Sequence, residues 1–271
     1  MDLLVHIRNH DEASPAIEVA ARLARQLDGF LYGLYVAPMG AVTFSTPETV
    51  VFQVQEADRL YQEALEKGTW WRAQLERHGL RGESLVAQGE PVEAICHAAR
   101  WCDLVIAQRP TLNPDAPVGW GTVSRTVFGA GVPVVVVPET AKVSALGERI
   151  LVAWNHSREA IRAVHGALPL LRAAAEVVVM SGTAQQNIVG ARHQPPFDLA
   201  TYLQRHGVTA EIRPFAAKTD YGAGLLDTAH AMNADLIVMG AWGHSRIASL
   251  VLGGTTRYLF QNSDLPLFVS H

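Results

Sequence analysis

The chain has 271 residues, 49% hydrophobic and 18% charged, and a formal net charge of −4. That is enough for two domains with separate cores, and too apolar for a disordered chain. The acidic balance, −6 over residues 1–140 against +2 over 141–271, counts against a nucleic-acid partner.

In chain order, residues 3–7 are an apolar run and read as a first strand. Pro15 suits a first helical turn, and Ile17, Ala20, Ala21, Leu23, Ala24 and Leu27 give one apolar face. Residues 30–36 read as a second strand from their aromatic and β-branched content. A loop then leads to one long helix over about 50–78, closed by Gly79. A third strand is expected at 83–87, a helix from Gly89-Glu-Pro91 to Arg100, and a fourth strand at 103–107. A helix near 122–128 and a fifth strand at 132–137 complete this half.

The order then repeats. Strands are expected at 149–153, 177–180, 208–213, 235–239 and 265–269, with helices from Ser157 to Leu171, over 197–206 and over 222–232. Asp103-Leu-Val-Ile matches Asp235-Leu-Ile-Val 132 residues on, and Val132-Pro-Val matches Leu265-Pro-Leu 133 on. A repeat of that length is a duplicated domain, not a solenoid. The expected domains are 1–140 and 147–271. Alternating strands and helices imply an α/β fold, with a parallel sheet covered on both faces in each half.

Cys96 and Cys102 do not form a Cys-x-x-Cys motif, and reduced structural thiols are expected. The start of the chain lacks a basic, then apolar, leader, and no run of about 18 apolar residues exists. A cytoplasmic protein without a membrane partner is therefore expected.

The most informative stretch follows the strand at 235–239. Gly240 and Gly243 come at once, then Gly253, Gly254, Thr255 and Thr256 ahead of an expected helix start at Arg257. Glycines let a ligand approach the backbone. A strand end, a glycine-rich loop and a helix N-terminus together offer free amides and a positive dipole to a phosphate. The same glycines also suit a tight strand-to-helix connection with no ligand, and the loop alone leaves both readings open.

The Gly-x2-Gly-x9-Gly spacing resembles the ATP-binding loop of the universal stress protein family, with Gly240, Gly243 and Gly253 on the three family glycines. Ala-Trp-Asn155-His-Ser157-Arg-Glu-Ala and Gly-Ala-Trp-Gly-His-Ser-Arg246 are similar to the tandem bacterial members. The resemblance covers essentially the whole chain and is strongest over 149–270. It implies two flavodoxin-like, Rossmann-like domains, each with a five-stranded parallel sheet in the order 3-2-1-4-5. It also implies an internal pseudo-dimer paired through the fifth strands. Ligands in such sheets bind outside the carboxyl ends at the switch point, between strands one and four. An adenine nucleotide, ATP or like it, would then lie in the second half. Its nucleoside would meet Ala153, Trp154, Asn155 and Met239, and its phosphates Gly240, Gly243, Gly253, Gly254, Thr255 and Thr256.

Two positions depart from the family pattern. Gly254 stands where the family usually has Ser or Thr, which removes a hydroxyl from the cradle. Asn155 stands where it usually has Asp; an amide still bonds a ribose hydroxyl but holds Mg²⁺ poorly. The first half departs further, with Arg8 at the Asp position and Gln108-Arg-Pro110 in place of a turn glycine, so no nucleotide is expected there. His156 and His244 follow strand ends, where a solvated loop histidine is the plain reading. Trp70-Trp71 reads as packing or a face for a partner.

No Gly-x-x-x-x-Gly-Lys-[Ser/Thr], Gly-x-Gly-x-x-Gly after a strand, or Gly-x-Ser-x-Gly motif is present, nor any metal-ligand signature or acid-base-nucleophile set. The expected role is therefore nucleotide binding and signalling in a stress response, without catalysis. An unknown protein partner is expected, and a homodimer is possible. An interaction module without nucleotide, and a slow ATPase, are the alternatives.

Overall fold

Apolar runs such as Leu3-Leu4-Val5 and Val134-Val135-Val136-Val137 bury every consecutive side chain. That requires both sheet faces to be covered, as in a parallel α/β sheet. The computed structural model describes residues 1–10, 14–38, 47–111, 121–182, 197–215, 220–241 and 254–271, with 47–49 as backbone alone. The described residues divide into two compact units, Met1–Pro110 with Thr122–Glu139, and Thr140–His271 with Thr111 and Gly121.

The first unit runs β1 (Asp2–Ile7), α1 (Pro15–Gln26), β2 (Phe30–Ala37), α2 (Pro47–Glu66), α3 (Gly68–His78), β3 (Arg81–Gln88), α4 (Pro91–Ala99), β4 (Leu104–Arg109), α5 (Thr122–Gly129) and β5 (Val134–Pro138). Its strands pair in parallel as β3-β2-β1-β4-β5. The second unit runs β6 (Arg149–Trp154), α6 (Arg158–Ala173), β7 (Glu176–Ser181), α7 (Leu199–Arg205), β8 (Glu211–Pro214), α8 (Tyr221–Ala231), β9 (Leu236–Gly240), α9 (Gly254–Asn262) and β10 (Leu267–Ser270). Its strands pair as β8-β7-β6-β9-β10, also in parallel. Numbered within each unit, both orders are 3-2-1-4-5, as the family resemblance implies.

The Asp-Leu repeat has a structural purpose. In the first unit Asp103 Oδ2 accepts from the Asp2 amide at 2.8 Å, and the Asp103 amide donates to the Asp2 carbonyl at 2.7 Å. In the second unit Asp235 accepts from the amides of Gly147, Glu148 and Arg149 at 2.7, 3.0 and 3.2 Å, and its own amide donates to the Arg149 carbonyl at 2.9 Å. In both units the aspartate ahead of the fourth strand grips the start of the first. Burial pushes the Asp235 carboxyl up from the usual range, against the pull of its three amide donors.

The expected long helix over 50–78 is interrupted: α2 ends at Glu66 and α3 starts at Gly68. Gly68 is the weakest helix former in that run. Beyond the break, Trp71 is 2% exposed and lies across β2. A Cβ on Gly33 would sit 2.4 Å from its ring, so this strand position excludes any side chain. Trp70 stacks edge-on against His10, with centroids 5.0 Å apart. The tryptophan pair is therefore packing. Cys96 and Cys102 are both free, and burial pushes the Cys102 thiol up to about 11. No helix among the described residues is long and apolar enough to cross a membrane.

Candidate functional site

The site expected from sequence lies at the carboxyl ends of the second unit's strands. Parallel register places Ala153 of β6 beside Met239 of β9. Gly240 is flanked on its other side by Ser270 of β10, and Trp154 by Ser181 of β7. The first and fourth strands of the 3-2-1-4-5 order therefore end side by side, which is where such sheets leave a crevice.

The chain turns from β6 into α6 in three residues. Asn155 Oδ1 accepts from the Ser157 amide at 3.2 Å, which leaves the Asn155 amide nitrogen as its outward hydrogen-bonding group. His156 has φ 60°, the left-handed region that a side chain seldom adopts. Its ring lies 5.3 Å from that of Trp154. Ser157 caps α6, its Oγ accepting from the Ala160 amide at 3.1 Å.

The first turn of α6 lies directly over Gly240. A Cβ there would be 2.4 Å from the Ala160 nitrogen and 2.5 Å from the Glu159 carbonyl carbon. Packing of α6 against the end of β9 is thus sufficient reason for this glycine. Glu159, missed in the sequence reading, is 5% exposed beside it. Burial pushes its carboxyl up, but its own backbone amide and the Arg158 guanidinium, donating at 2.9 and 3.1 Å, hold it below the usual carboxylate range. The part of Glu159 that lies against Gly240 is its backbone; its carboxylate is paired with Arg158. A charged residue two places from a helix cap ordinarily faces water, so the sequence carries no signal for its burial.

Helix α9 starts at Gly254, three residues earlier than expected. Gly254, Thr255 and Thr256 are therefore helical, at the start of the described part of α9. Thr256 is buried, Thr255 half-buried and Arg257 exposed. Among the described residues nothing lies within 4 Å of a Cβ added to Gly254, and its φ is not left-handed. The helix is anchored through Leu259 and Phe260, both fully buried, and through Tyr258, which packs over Gly222 of α8. Gly243, His244 and Gly253 lie outside the described residues.

The first unit is built differently at the matching place. The 132-residue offset puts Gln108 where the second unit has Gly240. Gln108 Oε1 accepts from the Ser14 hydroxyl at 2.7 Å. A side chain bonded to the start of α1 thus occupies the strand tip that the second unit keeps bare. β4 also runs on to Arg109, which is 7% exposed, and Arg8 is exposed past the end of β1. Among the described residues no group of three or more His, Cys, Asp or Glu side chains could hold a metal.

The model of the universal stress protein family matches the chain twice, over residues 1–138 and 147–271. The chain belongs to the universal stress protein family. Its two matches make it a tandem-domain member. The fold is similar to that of a universal stress protein from Archaeoglobus fulgidus DSM 4304, with 17% identity, TM-score 0.70, and 99% of this chain and 97% of that one covered. It is also similar to a Pseudomonas aeruginosa UCBPP-PA14 protein assigned to the same family, with 17% identity, TM-score 0.59, and coverage of 99% and 92%. At such identities the likeness establishes fold. No curated protein matches the chain.

Proposed function

We propose that the second domain, 147–271, binds an adenine nucleotide of the ATP class, and that the chain acts as a cytoplasmic binding and signalling module in a stress response, without turnover. The observation that carries this is the side-by-side ending of β6 and β9, Ala153 against Met239, at the switch point of a 3-2-1-4-5 sheet. The nucleoside lies against Ala153, Trp154, Asn155 and Met239. The phosphates take the backbone amides of Gly240, Gly243 and Gly253 and of the first turn of α9, Gly254 to Thr256. Asn155 offers an amide nitrogen rather than a carboxylate, so Mg²⁺ adds little to affinity. The first domain, 1–140, carries no nucleotide, because Gln108 fills the matching strand tip.

A second reading, an interaction module without nucleotide, is favoured by one observation: the packing of the α6 backbone on Gly240 accounts for that glycine with no ligand. Calorimetric titration of the full chain with ATP, with and without Mg²⁺, separates the two. Micromolar binding that changes little with Mg²⁺ supports the nucleotide site, and no heat at millimolar ATP supports the interaction module.

A further inference from the structure

Helix α2 of the first unit has two unlike flanks on either side of its buried line. Ala57 and Ala64, seven residues apart, are buried and mark that line. The Ala57 carbonyl accepts from Gln88 Nε2 at 2.8 Å, and a Cβ on Gly68, at the start of α3, would lie 3.7 Å from Ser84. The helix therefore runs beside β3 from its last residue, Gln88, back towards Ser84, and the turns before Ala57 project past the strand tip. On one flank Arg59 pairs with Glu56 and Glu63, so those charges are satisfied within the helix. The other flank carries Val51, Val54, Asp58, Tyr61 and Leu65, spaced alternately three and four residues apart. That is the a/d repeat of a two-helix seam. Val51, Val54 and Leu65 are 56%, 54% and 45% exposed, Asp58 is exposed and Tyr61 half-buried. Scattered apolar side chains on a surface need no account, but a line of three with this spacing over about 20 Å of helix does. Among the described residues Asp58 has no ion-pair partner.

We infer that this flank of α2 is the docking surface for a second copy of the chain, packed antiparallel on the same flank about a twofold axis. The seam is complementary to itself in that arrangement. Reversing one helix sets a positions against d positions. Val54 then faces Leu65 of the second copy and Asp58 faces its Tyr61; by symmetry Tyr61 faces its Asp58 and Leu65 its Val54. The two apolar pairs close the ends. At the centre each Tyr61 hydroxyl donates to the facing Asp58 carboxylate, which satisfies the only charge on the seam. A parallel pair would instead set Asp58 against Asp58, like charges in the middle of the contact. Gln55 and Gln62, both exposed beside the seam, are uncharged and repel nothing. Contact over one helix flank covers less than the roughly 800 Å² per partner of a standard interface, so the dimer is weak, with a Kd in the micromolar range.

The test is analytical sedimentation of the full chain and of Val54→Glu and Leu65→Glu, with a thermal melt of each. Wild type should pass from monomer to dimer across the micromolar range. Each glutamate variant puts unpaired carboxylates into the seam and should weaken the dimer at least roughly tenfold. Both positions are exposed, so the melting temperatures should stay near that of wild type. Disulfide trapping reads the register. Val54→Cys mixed with Leu65→Cys should cross-link under mild oxidation. Either variant alone, and wild type with its own Cys96 and Cys102, should not, because two copies of residue 54 lie about 16 Å apart along an antiparallel seam. If Leu65→Glu melts early, Val54→Glu and the trapping decide the matter. A chain that stays monomeric throughout overturns the inference, as does a dimer that folded glutamate variants leave intact. Cross-linking of Val54→Cys to itself overturns the antiparallel register.

Discussion

Gly254→Glu separates stability from binding, because the two should move in opposite directions. A Cβ at this position meets nothing within 4 Å among the described residues, and the backbone is not left-handed, so the folded state accepts the side chain. Replacing a helical glycine stabilises by up to about 1 kcal/mol. An acid in the first turn of α9 adds about 0.3–1 kcal/mol through the helix dipole. Together these should raise the melting temperature of the second domain by a few degrees. A polyphosphate resting on the same turn meets the new carboxylate at about 4 Å, which costs about 1 kcal/mol in water and about 4 at an intermediate dielectric. ATP affinity should therefore fall roughly five- to a thousandfold. Gly254→Ser, which adds a neutral hydroxyl where the family usually has one, should strengthen binding instead. Differential scanning fluorimetry reads the first effect and calorimetry the second. A higher melting temperature with unchanged ATP affinity would refute the placement of the phosphates on α9. A lower melting temperature would refute the open space around Gly254.

Gly240→Ala forces a Cβ to within 2.4 Å of the α6 backbone; it should cost about 1–3 kcal/mol in urea unfolding, and a neutral result would show that α6 yields easily. Asp235→Ala leaves the amides of Gly147, Glu148 and Arg149 without their acceptor and should destabilise by about 1–3 kcal/mol, visible as slower-exchanging amides becoming fast at 147–149. His6, half-buried in β1, has its pKa lowered to about 4 by burial and then by the Arg8 charge. The unfolded chain therefore binds the proton more readily. Its contribution is intact above pH 6.5 and is lost as pH falls from 6.5 through 4, by about 3 kcal/mol. His6→Gln should flatten that part of the stability-against-pH curve, and identical curves would show that His6 stays neutral for another reason or is not buried.

The fold was legible because parallel strands are buried on both faces, so each appears as an unbroken apolar run between turn residues. The duplicated Asp-Leu pattern was legible because it makes the same hydrogen bonds twice. Boundaries drifted where a residue serves a neighbouring element. Val208 looks like strand, yet its amide donates to the Leu203 carbonyl and closes α7 beyond Gly207, so β8 begins only at Glu211. Pro133 and Pro266 contribute only carbonyls, to the amides of Val105 and Ile237, so β5 and β10 start two residues later than their apolar runs. At the site, the strand-end residues were legible from topology once the order was assumed. The packing of α6 on Gly240, the burial of Glu159 and the left-handed His156 were not, because each depends on a contact between segments whose local pattern allows several outcomes.

The aspartate clips also bear on how the chain reaches this fold. Asp103 and the Asp2 amide are 101 residues apart, and Asp235 and Gly147 are 88 apart. Joining the first strand to the fourth is the most distant strand pairing in each unit, and such closures slow folding. A slip of one residue between those strands would turn every buried side chain to the wrong face. The clip forms only in the native register, so it works as a proofreading contact at the opposite end of the strands from the tips that hold Ala153 and Met239. Each unit holds both halves of its own clip. A fragment meant to fold alone as the second domain must therefore begin no later than Gly147, because Gly147 and Glu148 supply two of the amides that Asp235 checks.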